Sequence, residues 1–439
     1  MLELSPARKN KVNLADYNCQ QDIENRMMMS DFSTIDIEVL EEILYSPLKI
    51  SQKKLLRALS CEEHELTKSL NKLSSTGLVS VQGDTICVDK EKRKYFEFQI
   101  HRFDPQFKPD MEFVQGLLKK VPIHLLPTWY SIPRTSNNIF ESIVERYLLT
   151  PHIFQRYLME LNFGEPILND IMNDVLSAPD FKISSTDLIS KYNLKRVDFE
   201  EILLILEFNF VCCLCYEKED DHWLEYVSPF HEWKEYLQFY RDTQTPCIPS
   251  TDAIQRRSET DFAFLEKMSD LLLKAKKKAL QVENSPEVQK LCLVKLAEYS
   301  DGKLKTLDAG DAWLDLSLEN RALHLYRHPH NHILSLPVGE RYVREAEKSI
   351  KRVLHGEWVY FDEFLKGVLV PLNENSVVML KRVGKHWAYS LPVYGDEEIA
   401  ILKATIFEWL YEMGMVATGT CNGRECFAMT HFGKFFFND

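Results

Sequence analysis

Cys212, Cys213 and Cys215 fall within four consecutive positions of VCCLCYEKEDDHWLEYV (211–227), and His222 follows shortly after. Thiolates with an imidazole are a zinc ligand set, and adjacent thiols also serve redox chemistry. A structural zinc site usually rests on a C-x(2–4)-C knuckle and four ligands. Here the spacing is C-C-x-C, and His222 is the near partner across a polar turn. On an extended strand Cys213 and Cys215 share one face, while Cys212, Leu214 and Tyr216 share the other. Reduced cysteine is also among the residues most often buried as a small hydrophobe. The expectation is that these cysteines pack into a core and hold no metal. Cys421 and Cys426 flank a second turn at Asn422-Gly423 and receive the same reading.

HLYRHPHNH (324–332) places His324 and His328 four residues apart, a helical spacing that can hold a metal, with His330 and His332 beyond Pro329. There is no H-E-x-x-H, so a zinc hydrolase is not expected, and a polar helix end explains the histidines more simply. The chain also has no G-x-x-x-x-G-K-[ST], no G-x-G-x-x-G and no G-x-S-x-G. These absences point away from an enzyme and from any cofactor.

Cationic residues offer another chemistry. Lys274, Lys276, Lys277 and Lys278 cluster in one run. Arg341, Arg344, Lys348, Lys351 and Arg352 form a second, and Lys381, Arg382 and Lys385 form a third beside Trp387. The last two runs are expected to make one face that holds phosphates while Trp387 stacks on a base. Solvated helix faces balanced by Glu345 and Glu347 are the plainer alternative. A net charge of −13 and a pI near 5.6 argue against strong sequence-independent nucleic-acid binding.

These residues need elements to position them, and the pattern of elements recurs. Helical periodicity over STIDIEVLEEILYS, a short helix at 51–60, a third helix at 61–77 and a hairpin turning at Gln82-Gly83-Asp84 follow one another. The same order returns at 165–177, 184–192, 194–209 and 210–230, where the cysteine stretch becomes the hairpin. Helix, short helix, helix, hairpin is the order of a winged helix-turn-helix domain. The expected fold is mainly α with small β-hairpins (α+β), as tandem winged helix-turn-helix domains. An N-terminal arm spans 1–32, the first winged helix 33–100, a helical connector 101–164 and the second winged helix 165–241. A Pro- and Thr-rich linker covers 242–252, followed by a helical region with a candidate third winged helix at 253–340 and a fourth at 341–439.

WLDLSLENRALHLYRH (313–328), HGEWVYFDEFLKGV (355–368) and FEWLYEMGMVATGTCNGRECFAMTHFGKFF (407–436) carry a resemblance. This C-terminal third, roughly 290–437, resembles the winged-helix regions that accompany bacterial helicases of the XPB type. Without a phosphate loop or a DEAD-like box, the resemblance implies a binding accessory rather than a motor.

In a winged helix the third helix usually enters the major groove, and groove-reading helices carry Arg, Lys, Asn or Gln. The third helices here carry Glu62, Glu63 and Glu65, then Asp198, Glu200, Glu201 and Glu207, then Asp396, Glu397, Glu398 and Glu408. Two functions follow as expectations. One is a non-catalytic DNA-associated or transcription-related accessory that holds DNA through the C-terminal basic face. The other is a protein–protein adaptor that uses winged helices as docking modules without touching nucleic acid. A protein partner is expected in either case. No apolar run of membrane-spanning length or secretory h-region is found, so a cytoplasmic protein with reduced thiols and no membrane association is expected.

Overall fold

The computed structural model describes residues 18–59, 61–120, 139–161, 163, 165–220, 222–327, 333–384 and 386–438. The chain is an α+β mixture of helices and small antiparallel sheets in two compact units. One unit runs to Leu237 and includes Met379–Tyr389; the other holds Gln238–Val378 and Ser390–Asp439. No described helix is long and apolar enough to cross a membrane.

In the first unit, helix Thr34–Tyr45 starts at Ser33, whose side chain and that of Asp36 cap each other's backbone reciprocally. Strand Lys49–Ser51 leads straight into helix Gln52–Leu59, and helix Glu63–Ser75 follows. Hairpin Val79–Gln82 and Thr85–Val88 turns at Gly83, whose φ of +61° suits a residue without Cβ. The last strand lies in the middle, pairing Ile86 with Ile50 on one side and Val81 on the other. The same topology returns as helix Pro166–Ser177, strand Ile183–Ser184, helices Ser185–Lys191 and Arg196–Phe208, and hairpin Cys213–Glu219 with His222–Ser228. Again the last strand is central, with Val227 opposite both Ile183 and Leu214.

Two expectations for this unit change. The polar pattern of 1–32 predicts an arm, but Cys19–Met29 is a helix capped by Asn18, with Ile23, Arg26 and Met29 buried. Its charges hid it: Arg26 is buried because carboxylates meet it, a pairing that periodicity does not register. Residues 1–17 lie outside the described residues. The connector contributes helices Met111–Lys120, Ile139–Ile143 and Pro151–Glu160, with a π turn at Val144–Leu148. Pro122, Pro127 and Pro133 lie outside the described residues.

The second change concerns 341–439, which is not one continuous domain. Strands Leu380–Val383 and His386–Tyr389 form a hairpin that packs with the first unit. Leu380 donates its N–H to the Leu149 carbonyl at 2.8 Å, and the Tyr389 hydroxyl donates to the Leu148 carbonyl at 2.8 Å. Trp387 meets Phe140 edge-on at 5.9 Å, and Tyr389 lies against Trp233 and Tyr236.

In the second unit, helix Ala263–Lys277, strand Leu280–Gln281, helix Pro286–Leu293 and strands Ala297–Ser300 and Lys303–Thr306 make a shortened version with one helix between the first two strands. Leu304 on the central strand faces Leu280 and Tyr299. The full version comes last. Helix Glu340–Glu347 continues as a 3-10 turn Lys348–Val353, then strand Val359–Tyr360 enters helix Phe361–Leu365. After the excursion containing the hairpin, helix Asp396–Ala404 continues as a π turn Thr405–Leu410. Strands Val416–Cys421 and Arg424–Met429 close it, turning at Asn422-Gly423 as the sequence predicts. Gln255–Arg256 adds a fourth strand.

The expected linker 242–252 is not a free tether. Ile248 is buried and donates its N–H to the Trp358 carbonyl at 2.7 Å, while Cys247 bridges Val359. The division between units falls earlier, inside helix His231–Asp242.

Candidate functional site

Helix Thr34–Tyr45 buries Ile37, Leu40, Ile43 and Leu44 and leaves the opposite face in water. On that face Glu38, Glu41, Glu42 and Tyr45 stand at i, i+3, i+4 and i+7. With Ala58 and Leu59 of the next helix they line an open groove of about 390 Å³. Tyr45 is 74% exposed, an unusual setting for a large aromatic. Partial burial, with Glu38 and Asp104 close by, pushes the Glu41 carboxyl up from its ordinary range. The groove thus concentrates negative charge beside an exposed ring, a setting that attracts cations and apolar stems together.

The third helices are placed differently from groove-reading ones. Helix Arg196–Phe208 is enclosed on nearly every side: Phe199, Glu200, Ile202, Leu203, Leu204, Leu206, Glu207 and Phe208 are buried. Helix Pro286–Leu293 buries Lys290, which pairs with Glu412 at 2.6 Å. Helix Asp396–Ala404 opens on exposed Asp396 and Glu397, and its Lys403 pairs with Glu425 at 2.7 Å. Helix Glu63–Ser75 alone keeps a broad exposed face, with Glu63, His64, Thr67, Lys68 and Asn71. Its Lys72 is engaged with Asp36 at 2.6 Å and the Asp31 carbonyl at 2.8 Å.

The candidate phosphate-binding residues divide between the units. Arg341, Arg344, Lys348, Lys351 and Arg352 belong to the second; Lys381, Arg382 and Trp387 belong to the first. Lys385 lies outside the described residues. Arg344 lies 4.0 Å over the Tyr326 ring, donates to the Tyr326 carbonyl at 2.8 Å and pairs with Glu340 and Glu347. Arg352 donates to the Thr243 carbonyl at 2.7 Å, and Lys348 pairs with Glu345. Trp387 is a packing residue against Phe140 rather than an open stacking platform. Arg341, Lys351, Lys381 and Arg382 remain exposed.

The cysteine stretch resolves into core. Cys212 and Cys213 are each 1% exposed, and burial pushes both thiols up, which keeps them protonated. His222 pairs with Glu219 at the far end of the hairpin, so it lies roughly 13 Å along the strand from Cys215 at about 3.3 Å per residue. No shared metal can span that. Cys213 does more than pack, which its spacing does not signal: its thiol donates to Glu207 at 3.0 Å. Glu207 also pairs with Arg26 and Arg102, each at 2.8 Å, and Glu200 pairs with Arg26 and Arg196. Cys421 and Cys426 are buried free thiols, not opposite each other: Cys426 faces Gly419 and Cys421 faces Arg424. His324 lies on helix Leu318–Arg327, while His328, His330 and His332 fall outside the described residues.

Two further polar settings accompany these. Glu232 accepts from the Met111 N–H at 2.9 Å, and burial pushes its carboxyl up to about 8. A cavity of about 560 Å³ in the second unit is lined by Phe264, Leu336, Ala404, Phe407 and Tyr411, with Arg257 and Glu412 among them. Its polar groups are engaged internally: Arg257 donates to the Phe407 carbonyl at 2.9 Å, and Glu408 accepts from Leu334 and Ser335.

No family model and no curated protein matches this chain.

Proposed function

We propose that the recurring helix–strand–helix–helix–strand–strand units are winged helices and that the chain is a non-catalytic adaptor, with the first module docking a basic segment of a partner protein. The observation that carries this reading is the groove formed by Glu38, Glu41, Glu42 and Tyr45. Three carboxylates within two helical turns repel one another, and a Lys or Arg side chain laid along the groove relieves that repulsion while covering Tyr45. The acidic starts of the exposed third helices and the enclosed position of Arg196–Phe208 support docking over groove reading.

The test is a binding screen of displayed peptides against the full chain, followed by titration of the selected sequences at rising salt. Sequences rich in Lys and Arg are expected, with affinity falling as salt rises and lost in Glu38→Lys/Glu41→Lys/Glu42→Lys. Selected peptides without basic residues, or binding unchanged in the triple variant, would overturn the reading.

A second reading, DNA association, rests on exposed Lys381 and Arg382 and on the resemblance of 290–437. It requires saturable binding of labelled duplex or single-stranded DNA at low salt that weakens in Lys381→Glu/Arg382→Glu.

A further inference from the structure

Cys247 lies 108 residues before His355 and its near neighbour Glu357, yet the ligating atoms of all three lie within 4.8 Å of one another. The backbone explains why. Cys247 bridges Val359, and the next residue, Ile248, is buried with Cys421 and Cys426 and bonded to the Trp358 carbonyl. Cys247 is therefore exposed on a fixed strand-like segment. His355 and Glu357 flank Gly356, whose φ is +75°. A Cβ there would fall 1.9 Å from Lys434 Cε and 3.1 Å from the Met429 carbonyl oxygen, so the turn is built for glycine. The turn lets the Glu357 N–H donate to His355 Nδ1 at 3.2 Å. That bond puts the ring proton on Nε2 and makes Nδ1 the acceptor, 3.9 Å from Cys247 Sγ, so a metal bound at Nδ1 takes the lone pair that now receives the Glu357 N–H.

We propose that Cys247, His355 and Glu357 form a three-ligand site for a divalent transition metal of the zinc class, with a fourth position open to water. The proposal is independent of the docking groove. Metal–sulfur and metal–nitrogen bonds of about 2.3 and 2.0–2.1 Å imply a tetrahedral S···N edge of about 3.5 Å, a few tenths from the observed separation. Thiolate, imidazole and carboxylate together are a borderline-soft set that suits zinc and not calcium or magnesium. A dication with one thiolate and one carboxylate is electroneutral.

A catalytic cysteine is the competing use of this trio, and the geometry disfavours it. In a nucleophilic triad the acid orients the histidine and the histidine activates the thiol. Here the Glu357 backbone N–H, not its carboxylate, holds His355 Nδ1, so the acid does not orient the ring toward the thiol. On metal entry the Glu357 N–H gives up His355 Nδ1 to the metal, the S–H bond breaks, the metal–sulfur bond forms, and one proton leaves to solvent.

Cobalt(II) titration of the full chain under reducing conditions tests this. One equivalent should produce a thiolate-to-cobalt charge-transfer band that zinc abolishes, and calorimetry in buffers of different ionisation enthalpy should report release of about one proton per metal. Cys247→Ser, at an exposed position, should fold as the wild type does and lose the band. Glu357→Gln should weaken zinc by roughly tenfold or more. A wild-type protein without the band, or a band that persists in Cys247→Ser, would overturn the assignment.

Discussion

Arg26 and Glu207 lie 2.8 Å apart, each about 1% exposed, although 181 positions separate them in the chain. Arg26 also reaches Glu200 at 2.8 Å, and Arg102 holds Glu207 from the other side. The helix Cys19–Met29 is thus fastened to Arg196–Phe208 by ions with no access to water. Removing one member leaves a buried charge unpaired, which costs about 3–5 kcal/mol. Arg26→Ala should lower the urea midpoint of the first unit accordingly, with little change in m-value. Replacing Arg26, Arg102, Glu200 and Glu207 together by Met, Met, Leu and Met should recover part of that loss, since apolar groups of similar volume often serve as well, whereas keeping Arg102 would leave it buried without its carboxylate.

The same carboxylate predicts an acid limb. Arg102 and Arg26 hold Glu207 down at about 2, against an ordinary 4.5. Its folded value is depressed, so its stabilising contribution is present above pH 4.5 and is lost as pH falls toward 2. The shift corresponds to roughly 3 kcal/mol. Glu232 behaves oppositely. Its value of about 8 means the folded state keeps a proton that the unfolded chain gives up, so stability declines from pH 4.5 through 8. Glu232→Gln should flatten that decline and exceed the wild type at pH 8.5 by up to roughly 4 kcal/mol, read from chemical denaturation at each pH. A variant whose pH profile parallels the wild type would refute this.

Gly414 ends the last long helix at φ +69°, where a Cβ would meet Phe262 Cδ1 at 2.4 Å and the Asp261 carbonyl oxygen at 3.0 Å. Backbone strain and overpacking then act together. Gly414→Ala should destabilise the second unit by about 2–4 kcal/mol, visible as a lowered Tm. Gly423→Ala, whose Cβ has open space, should cost less, chiefly the positive φ.

What the sequence made legible, and what it hid, has a physical pattern. Hairpins at Gly83, Asp220 and Asn422-Gly423 announce themselves, because left-handed turns need particular residues. The apolar stripe of Thr34–Tyr45 is readable by period, whereas its back face of Glu38, Glu41, Glu42 and Tyr45 passes for an ordinary solvated helix face until Ala58 and Leu59 close a groove against it. The helix Cys19–Met29 was hidden because its buried face is charged, and the partners of Arg26 lie far along the chain. Cys247 and His355 are 108 residues apart, so only a folded backbone could join them. The basic run 379–387 joins the first unit rather than its sequence neighbours, because local pattern does not encode which core a returning hairpin joins.

That hairpin yields the last prediction. Leu380, Trp387 and Tyr389 contact the core of the first unit, while the chain on both sides belongs to the second. A sequence-contiguous domain 341–439 would make Leu380→Ala and Trp387→Ala destabilise its own neighbours. The observed contacts place the loss instead around Phe140, Leu148 and Leu149. Leu380 is buried, so its truncation should cost about 2–4 kcal/mol; Trp387 is half-buried and should cost less. Hydrogen exchange resolved by segment distinguishes the two cases. Faster exchange should appear in Ile139–Ile143 and Pro151–Glu160, with Val416–Cys421 and Arg424–Met429 unchanged. Faster exchange confined to those last two strands would return the hairpin to the second unit.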